Sequence, residues 1–486
     1  MTGSYALGVD SSTGATKVEI VDIASGHLVA TSRTPHPATT PPVSEQDPET
    51  WWRALLTCLE AVTDHLPSVG AIGISGQQHG LVALDRDDCP VRPAKLWNDT
   101  TSAAESEGLI ARLGPDVWAS AAGSVPGPSF TVTKLAWLQG HEPEHYRNVR
   151  RVGLPHDYLN LRISGRWTTD RGDASGTGYW SPSQGRYLPE LLADADINVD
   201  DIEFPRVANP FEAIGSISSS RLLELGLDSN CLVAPGSGDN MCAALGLGVA
   251  PDDLVVSLGT SGTAYAVSNV STSDAKGFVA GFADASGRFL PLVCTLNATK
   301  VTESVRALLG VDHAEFDTLA LNSSQGANGL TLVPYFDGER TPNLPDASGS
   351  LLGIRNPLER TDLARAAVEG VTCGLLDGVD ALLDNGVTAR GRFFLIGGGA
   401  RSESFAQVFA CLSTRAVLIP ENGETVARGA AVQAACVLGG ESPSDIASRW
   451  KLDAGRVVEP APCDGESATE VRARFREAAQ ASRPIK

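Results

Sequence analysis

No apolar run among these 486 residues approaches the length of a bilayer span, and a mean hydropathy of -0.04 excludes a membrane protein. Positive charge is also short. Lys and Arg number 38 against 58 Asp and Glu, a net charge of -20, and the positive residues are scattered rather than clustered. Such a surface repels a phosphate backbone and excludes nucleic acid as a partner. It does not exclude an anionic nucleotide, which helix N-termini and backbone N–H groups bind without net positive charge. Paired cysteines are missing as well. The nine, Cys58, Cys89, Cys231, Cys242, Cys294, Cys373, Cys411, Cys436 and Cys463, stand singly with no C-x-x-C spacing and read mostly as small buried hydrophobes. The N-terminus, Met-Thr-Gly-Ser-Tyr, enters an apolar strand without a basic region or cleavable core. Together these features lead to the expectation of a reducing, cytoplasmic setting.

What is present is an alternation of strands and tight turns. Tyr5–Val9, the polar turn Asp10–Gly14, Thr16–Asp22 and His27–Ser32 predict an antiparallel meander. A helix follows from Pro48, with Trp51, Trp52, Leu55, Leu56, Leu59 and Val62 at helical spacing, and then a buried strand, Ala71–Ser75. A second strand-turn-strand unit recurs at Leu254–Val267, which suggests two diverged copies of one scaffold. Asp362–Leu383 predicts a long amphipathic helix, Phe393–Ile396 a buried strand, and Thr425–Val437 an alanine-rich helix. The charged tail beyond Glu441 reads as a surface helix. The length favours two or three domains, and no flexible linker divides them.

Four glycine-rich turns, each after a predicted strand, lie at Asp10–Gly14, Ser75–Gly80, Gly259–Gly262 and Gly397–Ser402. Backbone N–H groups in such turns form nests for phosphate oxygens. Any one of them taken alone is more often an ordinary turn. Behind the glycines of Pro235–Gly238 stands a lone carboxylate, Asp239, which reads equally well as a helix N-cap or as a base displayed on a cleft floor. The P-loop spacing, the dinucleotide G-x-G-x-x-G and the protein-kinase catalytic loop are all absent.

The segments Gly8-Val9-Asp10-Ser11-Ser12-Thr13-Gly14-Ala15-Thr16-Lys17, Ser257-Leu258-Gly259-Thr260-Ser261-Gly262-Thr263 and Gly397-Gly398-Gly399-Ala400-Arg401-Ser402 resemble the first phosphate, second phosphate and adenosine motifs of the FGGY carbohydrate kinases. Ser75–Gly80, Leu96–Asp99, Asp173–Thr177 and Gly338–Pro342 are similar to the xylulose-kinase members. The resemblance implies α/β architecture with two actin-like, ribonuclease-H-like domains and an interdomain cleft. Residues 1–239 would carry the sugar site and first phosphate motif, and residues 240–486 the second phosphate and adenosine motifs. It implies ATP and Mg²⁺ as cofactors, Asp239 as the base for a sugar hydroxyl, and Asp10 beside the transferring phosphoryl group, meeting the metal directly or through a water. Gln78, His79, Trp97, Asp99, Asp239 and Asn240 would line the sugar site. Ser12, Thr13, Lys17, Gly259, Thr260, Ser261, Gly398, Gly399 and Arg401 would hold ATP.

An Asx-turn role competes with ligand binding at Asp99. Asp173 reads as an exposed structural residue, and Glu339 as a brace paired with Arg340. Two departures stand out: Ser11-Ser12 replaces the commoner glycine-containing turn, and Gln78 stands where many xylulose kinases have Met. The expected reaction is phosphorylation of the 5-hydroxyl of D-xylulose, with a sugar and ATP as partners. A homodimer is compatible with the sequence. The same chemistry on ribulose, gluconate or glycerol and a non-catalytic ATP-binding sugar sensor are the alternatives. An isomerase or dehydrogenase lacks its metal-ligand cluster or dinucleotide fingerprint.

Overall fold

The computed structural model describes residues 3–462 and 464–482, so Cys463 lies outside the described residues. The chain forms two compact units: residues 1–250, 267–290 and 424–453, and residues 251–266, 291–423 and 454–486. The chain first passes from one unit to the other after Ala250 and crosses between them several times more.

The first unit begins with β1 (Tyr5–Ser11) and β2 (Ala15–Asp22), which form an antiparallel hairpin, and β3 (Leu28–Pro35) beside β2. Helix α1 (Pro48–Glu60) starts on Asp47, whose side chain accepts the Glu49 N–H at 3.0 Å, and buries Trp51, Trp52, Leu55, Cys58 and Leu59. Strand β4 (Val69–Gly76) is buried along its length and lies parallel to β1, pairing Asp10 with Ser75. Next come α2 (Pro155–Ser164), α3 (Arg171–Ser175), β5 (Gly215–Ser216), β6 (Leu232–Val233) and α4 (Asp239–Gly246). The sheet order is β5-β6-β4-β1-β2-β3.

The second unit repeats this design. Strands β7 (Leu254–Leu258) and β8 (Gly262–Ala266) form its hairpin, β9 (Phe289–Thr295) flanks β8, and β10 (Phe393–Ile396) runs parallel to β7. Helices α5 (Thr299–Leu309), α6 (Arg360–Asp384) and α7 (Glu403–Ser413) surround it, and β11 (Val417–Pro420) extends the sheet. Helix α8 (Val426–Gly439) then belongs to the first unit. Its small residues admit backbone-to-backbone approach: a Cβ on Gly8 would lie 1.9 Å from the Ala427 carbonyl oxygen, and one on Gly73 2.2 Å from that of Ala430. The tail is not a single surface helix. Residues Gly455–Val458 form edge strand β12, and α9 (Ala468–Ala481) buries Val471 and Phe475.

Candidate active site

Asp10 is the penultimate residue of β1 and faces Lys17 across the hairpin register. Its Oδ1 is buried without a hydrogen-bond partner among the described residues. Burial holds this carboxyl well above the usual carboxylate range; Glu424 and Asp239 push it further up, and Lys17 opposes them. Lys17 Nζ lies 2.5 Å from Glu424 Oε2. Sequence reasoning missed Glu424. Its one local signal is an acidic side chain at the start of an alanine-rich helix, where Oε1 accepts the Ala427 N–H at 3.2 Å.

The turn that follows uses its hydroxyl protons internally. Ser12 donates both its N–H (3.0 Å) and its Oγ proton (2.9 Å) to the Ala15 carbonyl. Thr13 donates to Gln77 Oε1 at 2.9 Å and accepts the Trp97 indole N–H at 2.9 Å. The Thr13 N–H is therefore left for an anion, while the Ser12 N–H and both hydroxyl protons are spent within the protein. Beside them, a Cβ on Gly14 would meet nothing within 4 Å. Trp97, 40% exposed, leans on this turn.

Asp239 occupies the first position of α4, with Gly238 as the cap residue and no side-chain capping bond. That removes the N-cap reading. Its Oδ1 accepts the Asn240 main-chain N–H at 2.7 Å and Asn240 Nδ2 at 2.8 Å, and Oδ2 makes no bond to a described residue. Burial pushes the carboxyl up to about 6, with the Asn240 donors opposing it. Gln78 Oε1 accepts from the same Asn240 Nδ2 at 2.8 Å. Gln78, Asn240 and Asp239 thus form one constellation.

His79 adjoins them with a left-handed φ of 65°, a conformation that costs a non-glycine residue about 1–2 kcal/mol. Its Nδ1 lies 2.8 Å from the Gly176 carbonyl, an acceptor only, so Nδ1 carries the proton and Nε2 the lone pair in the neutral ring. The ring stacks on Phe130 at 5.0 Å between centroids.

Asp99 is corrected from sugar ligand to brace. It is fully buried, Oδ2 accepts the Ser44 N–H at 2.8 Å, and Oδ1 accepts from Thr101 N (3.0 Å), Thr101 Oγ1 (2.5 Å) and Lys95 Nζ (3.3 Å). Asp173 is corrected from exposed to fully buried. His156 Nδ1 lies 2.8 Å from Asp173 Oδ2, and its Nε2 lies 3.3 Å from Asp157 Oδ1 and 4.0 Å from Asp170 Oδ1. Burial alone would lower the His156 pKa, but Asp157, Asp173 and Asp170 outweigh it and push it up to about 9. Asp170 in turn accepts from Ser237 Oγ at 2.7 Å, two residues before Asp239. A buried ionic cluster therefore underlies the turn of the base.

In the second unit, Thr260 and Ser261 are exposed at the hairpin tip. The turn's carbonyls are tied back: Gly259 accepts the Thr299 N–H at 3.0 Å and its Oγ1 at 2.8 Å, and Thr260 accepts the Ala298 N–H at 3.2 Å. Among the described residues no N–H of Gly259, Thr260 or Ser261 is spent, which suits a phosphate nest. Ser261 Oγ donates to Leu296 C=O at 3.1 Å. A Cβ on Gly398 would meet open space, whereas one on Gly399 would strike Thr299 at 2.7 Å, so Gly399 serves close packing. Arg401 is exposed beside them. Glu339 braces this region through the Leu296 N–H (2.6 Å), the Arg340 N–H (2.7 Å) and Asn297 Nδ2 (3.0 Å).

Residues 5–246 match the N-terminal domain of the FGGY family of carbohydrate kinases, and residues 254–438 match its C-terminal domain. A xylulose kinase of Streptomyces rubiginosus is 47% identical over 466 residues, covering 96% of this chain and 94% of that protein. A xylulose kinase of Streptomyces coelicolor is 46% identical over 458 residues, covering 94% and 93%. The crystal structure of a xylulose kinase from Bifidobacterium adolescentis superposes with a TM-score of 0.85 at 37% identity, covering 99% of this chain and 100% of that one.

Proposed function

The chain belongs to the FGGY family of carbohydrate kinases, and from that premise we propose that it transfers the γ-phosphoryl group of ATP to the 5-hydroxyl of D-xylulose. The products are D-xylulose 5-phosphate and ADP. The observation that carries this reading is near-full-length identity of 47% to a xylulose kinase. In the proposed mechanism Asp239 Oδ2 takes the hydroxyl proton as the sugar oxygen attacks the γ-phosphorus, and the bond to the bridging oxygen of ADP breaks. The two donors on Oδ1 leave Oδ2 as the more basic oxygen. A pKa of about 6 keeps the base ionised at neutral pH while bringing it nearer the hydroxyl in basicity.

Gln78, His79, Trp97 and Asn240 surround the sugar in this reading, and the Thr13 and Gly14 amides with Lys17 receive phosphate at a turn that Ser12 shapes. Gly259, Thr260, Ser261, Gly398, Gly399 and Arg401 hold or shape the seat of the nucleotide. The unpartnered buried Asp10 Oδ1, in a cluster rich in carboxylates, would suit Mg²⁺ held by Asp10 directly or through water. Among the described residues no group of three or more His, Cys, Asp or Glu is arranged to hold a metal. When bound, the ion neutralises charge on the phosphates.

No helix among the described residues is long and apolar enough to cross a membrane. A cytoplasmic setting, partners limited to sugar and ATP, and a homodimer complete the reading, and light scattering tests the last. The function itself is tested by measuring ADP release across D-xylulose, D-ribulose, gluconate and glycerol. D-xylulose is expected to give the highest kcat/KM; a higher value for any of the others overturns the assignment.

A further inference from the structure

Gln78 is buried at 5% exposure yet makes a single side-chain hydrogen bond among the described residues, that from Asn240 Nδ2 at 2.8 Å. Its own Nε2 is buried without a partner. Leaving such a donor unsatisfied costs about 1–3 kcal/mol, so a purely structural role is poorly served by this residue. Its seat is also shaped for it. A Cβ on Gly238 would come within 2.6 Å of Gln78 Cγ, so the residue preceding the base must be glycine for Gln78 to stand where it does.

An amide nitrogen has two protons, and Asn240 spends one on Asp239 Oδ1 and the other on Gln78 Oε1. Turned over, the Asn240 amide would set its own oxygen against two acceptors. We propose that Gln78 is a positioning residue for the base: by accepting one Asn240 proton it fixes the amide so that the other points at Asp239 Oδ1. This deepens, and rests on, the reading of Asp239 as the general base.

Three consequences follow from the geometry. Oδ1 keeps two donors and Oδ2 alone faces the reacting hydroxyl. The ionised carboxylate is favoured against burial, because both donors bond the charged form. The turn that carries His79 and the helix that carries the base become one hydrogen-bonded unit, so displacement of the sugar turn disturbs the base as well.

The titratable groups coupled to this carboxylate are Asp10, Asp173 and the Cys242 thiol. None is a cation, which makes the Asn240 donors its principal local support.

The test compares pH–rate profiles of kcat for the wild type, Gln78→Met, Asn240→Ala and the double variant, with thermal melting as the folding control. Methionine keeps the length of Gln78 without its acceptor. Gln78→Met is expected to lower kcat about 3–10-fold near neutral pH, the worth of one hydrogen bond, and to move the acid limb upward by about half a pH unit. Asn240→Ala should move it further. The double variant should add little to Asn240→Ala, since both act through the same amide. Gln78→Met that raises only KM for the sugar, with the acid limb unmoved and melting unchanged, overturns the proposal in favour of simple sugar binding. So does full additivity in the double variant. Asp239→Ala distinguishes failure of the underlying reading: if that variant still turns over at the wild-type rate, the base assignment itself falls, whatever Gln78 does.

Discussion

In the first sheet the central hairpin reaches its turn through Asp10, paired with Ser75 one step before Gly76; in the second, Ser257 pairs with Ile396 one step before Gly397. The strand orders match, β5-β6-β4-β1-β2-β3 and β12-β11-β10-β7-β8-β9, so the two positions correspond. One holds a carboxylate and the other a hydroxyl. Around Asp10 gather Glu424 and Asp239, each raising its pKa, whereas the second turn presents exposed Thr260 and Ser261 over unspent amides. A repeated scaffold thus presents two different surfaces at its turns. An open, neutral turn offers backbone donors alone, the makings of a phosphate nest. The cost of burying a carboxylate falls on the first hairpin of the two.

The comparison breaks most visibly in kinetics. Asp10→Asn is expected to lower kcat by about 10²–10³, a loss typical of one electrostatic group at the reacting centre, while Ser257→Ala changes it less than about threefold. Steady-state assays check both, and comparable losses would mean the hairpins are not specialised. A smaller effect is the pH profile. Since Asp239 must be ionised to accept a proton and its pKa is raised to about 6, kcat/KM for the sugar should fall about tenfold per unit below that pH. A flat profile from pH 5 to 7 would show that the carboxyl is not raised.

The smallest effect is on stability. The raised His156 pKa stabilises the fold fully below its unfolded value near 6.5 and loses that contribution as pH rises through about 9. Asp157, raised by burial to about 7, and Asp173, raised by burial to about 6, favour the protonated form in the folded state, so they too weaken the fold as pH rises through their values. Calorimetry should show melting a few degrees lower at pH 9 than at pH 6, and His156→Gln should flatten that trend. An unchanged slope in the variant would remove the cluster from the account.

Much of this was legible locally. The two hairpins, the long helix over Arg360–Asp384 and the glycine turn before Asp239 follow from periodicity and turn chemistry, and the structure has them within a few residues. The two-domain actin-like fold and kinase family implied by the motifs also hold. What was not legible depends on contacts distant in sequence. Glu424 sits in a polar turn that reads as solvated, and only the approach of α8 to β1 sets its charge against Asp10. Asp173 and Asp99 look alike on the page, as acidic residues in loops, and both are fully buried because cations, His156 and Lys95, lie beside them. Local composition carries no sign of such pairing.

Helix α8 also sets a timetable. The ribosome completes residues 1–250 long before it reaches Glu424, and at about 5–20 residues per second the interval is roughly 10–35 s. Throughout it, the glycine-lined face of β1 and β4 that α8 will cover waits without its partner. The nascent first unit must remain incomplete while the second is synthesised, and a chain truncated before residue 424 is expected to emerge insoluble, however complete its list of sugar-site residues.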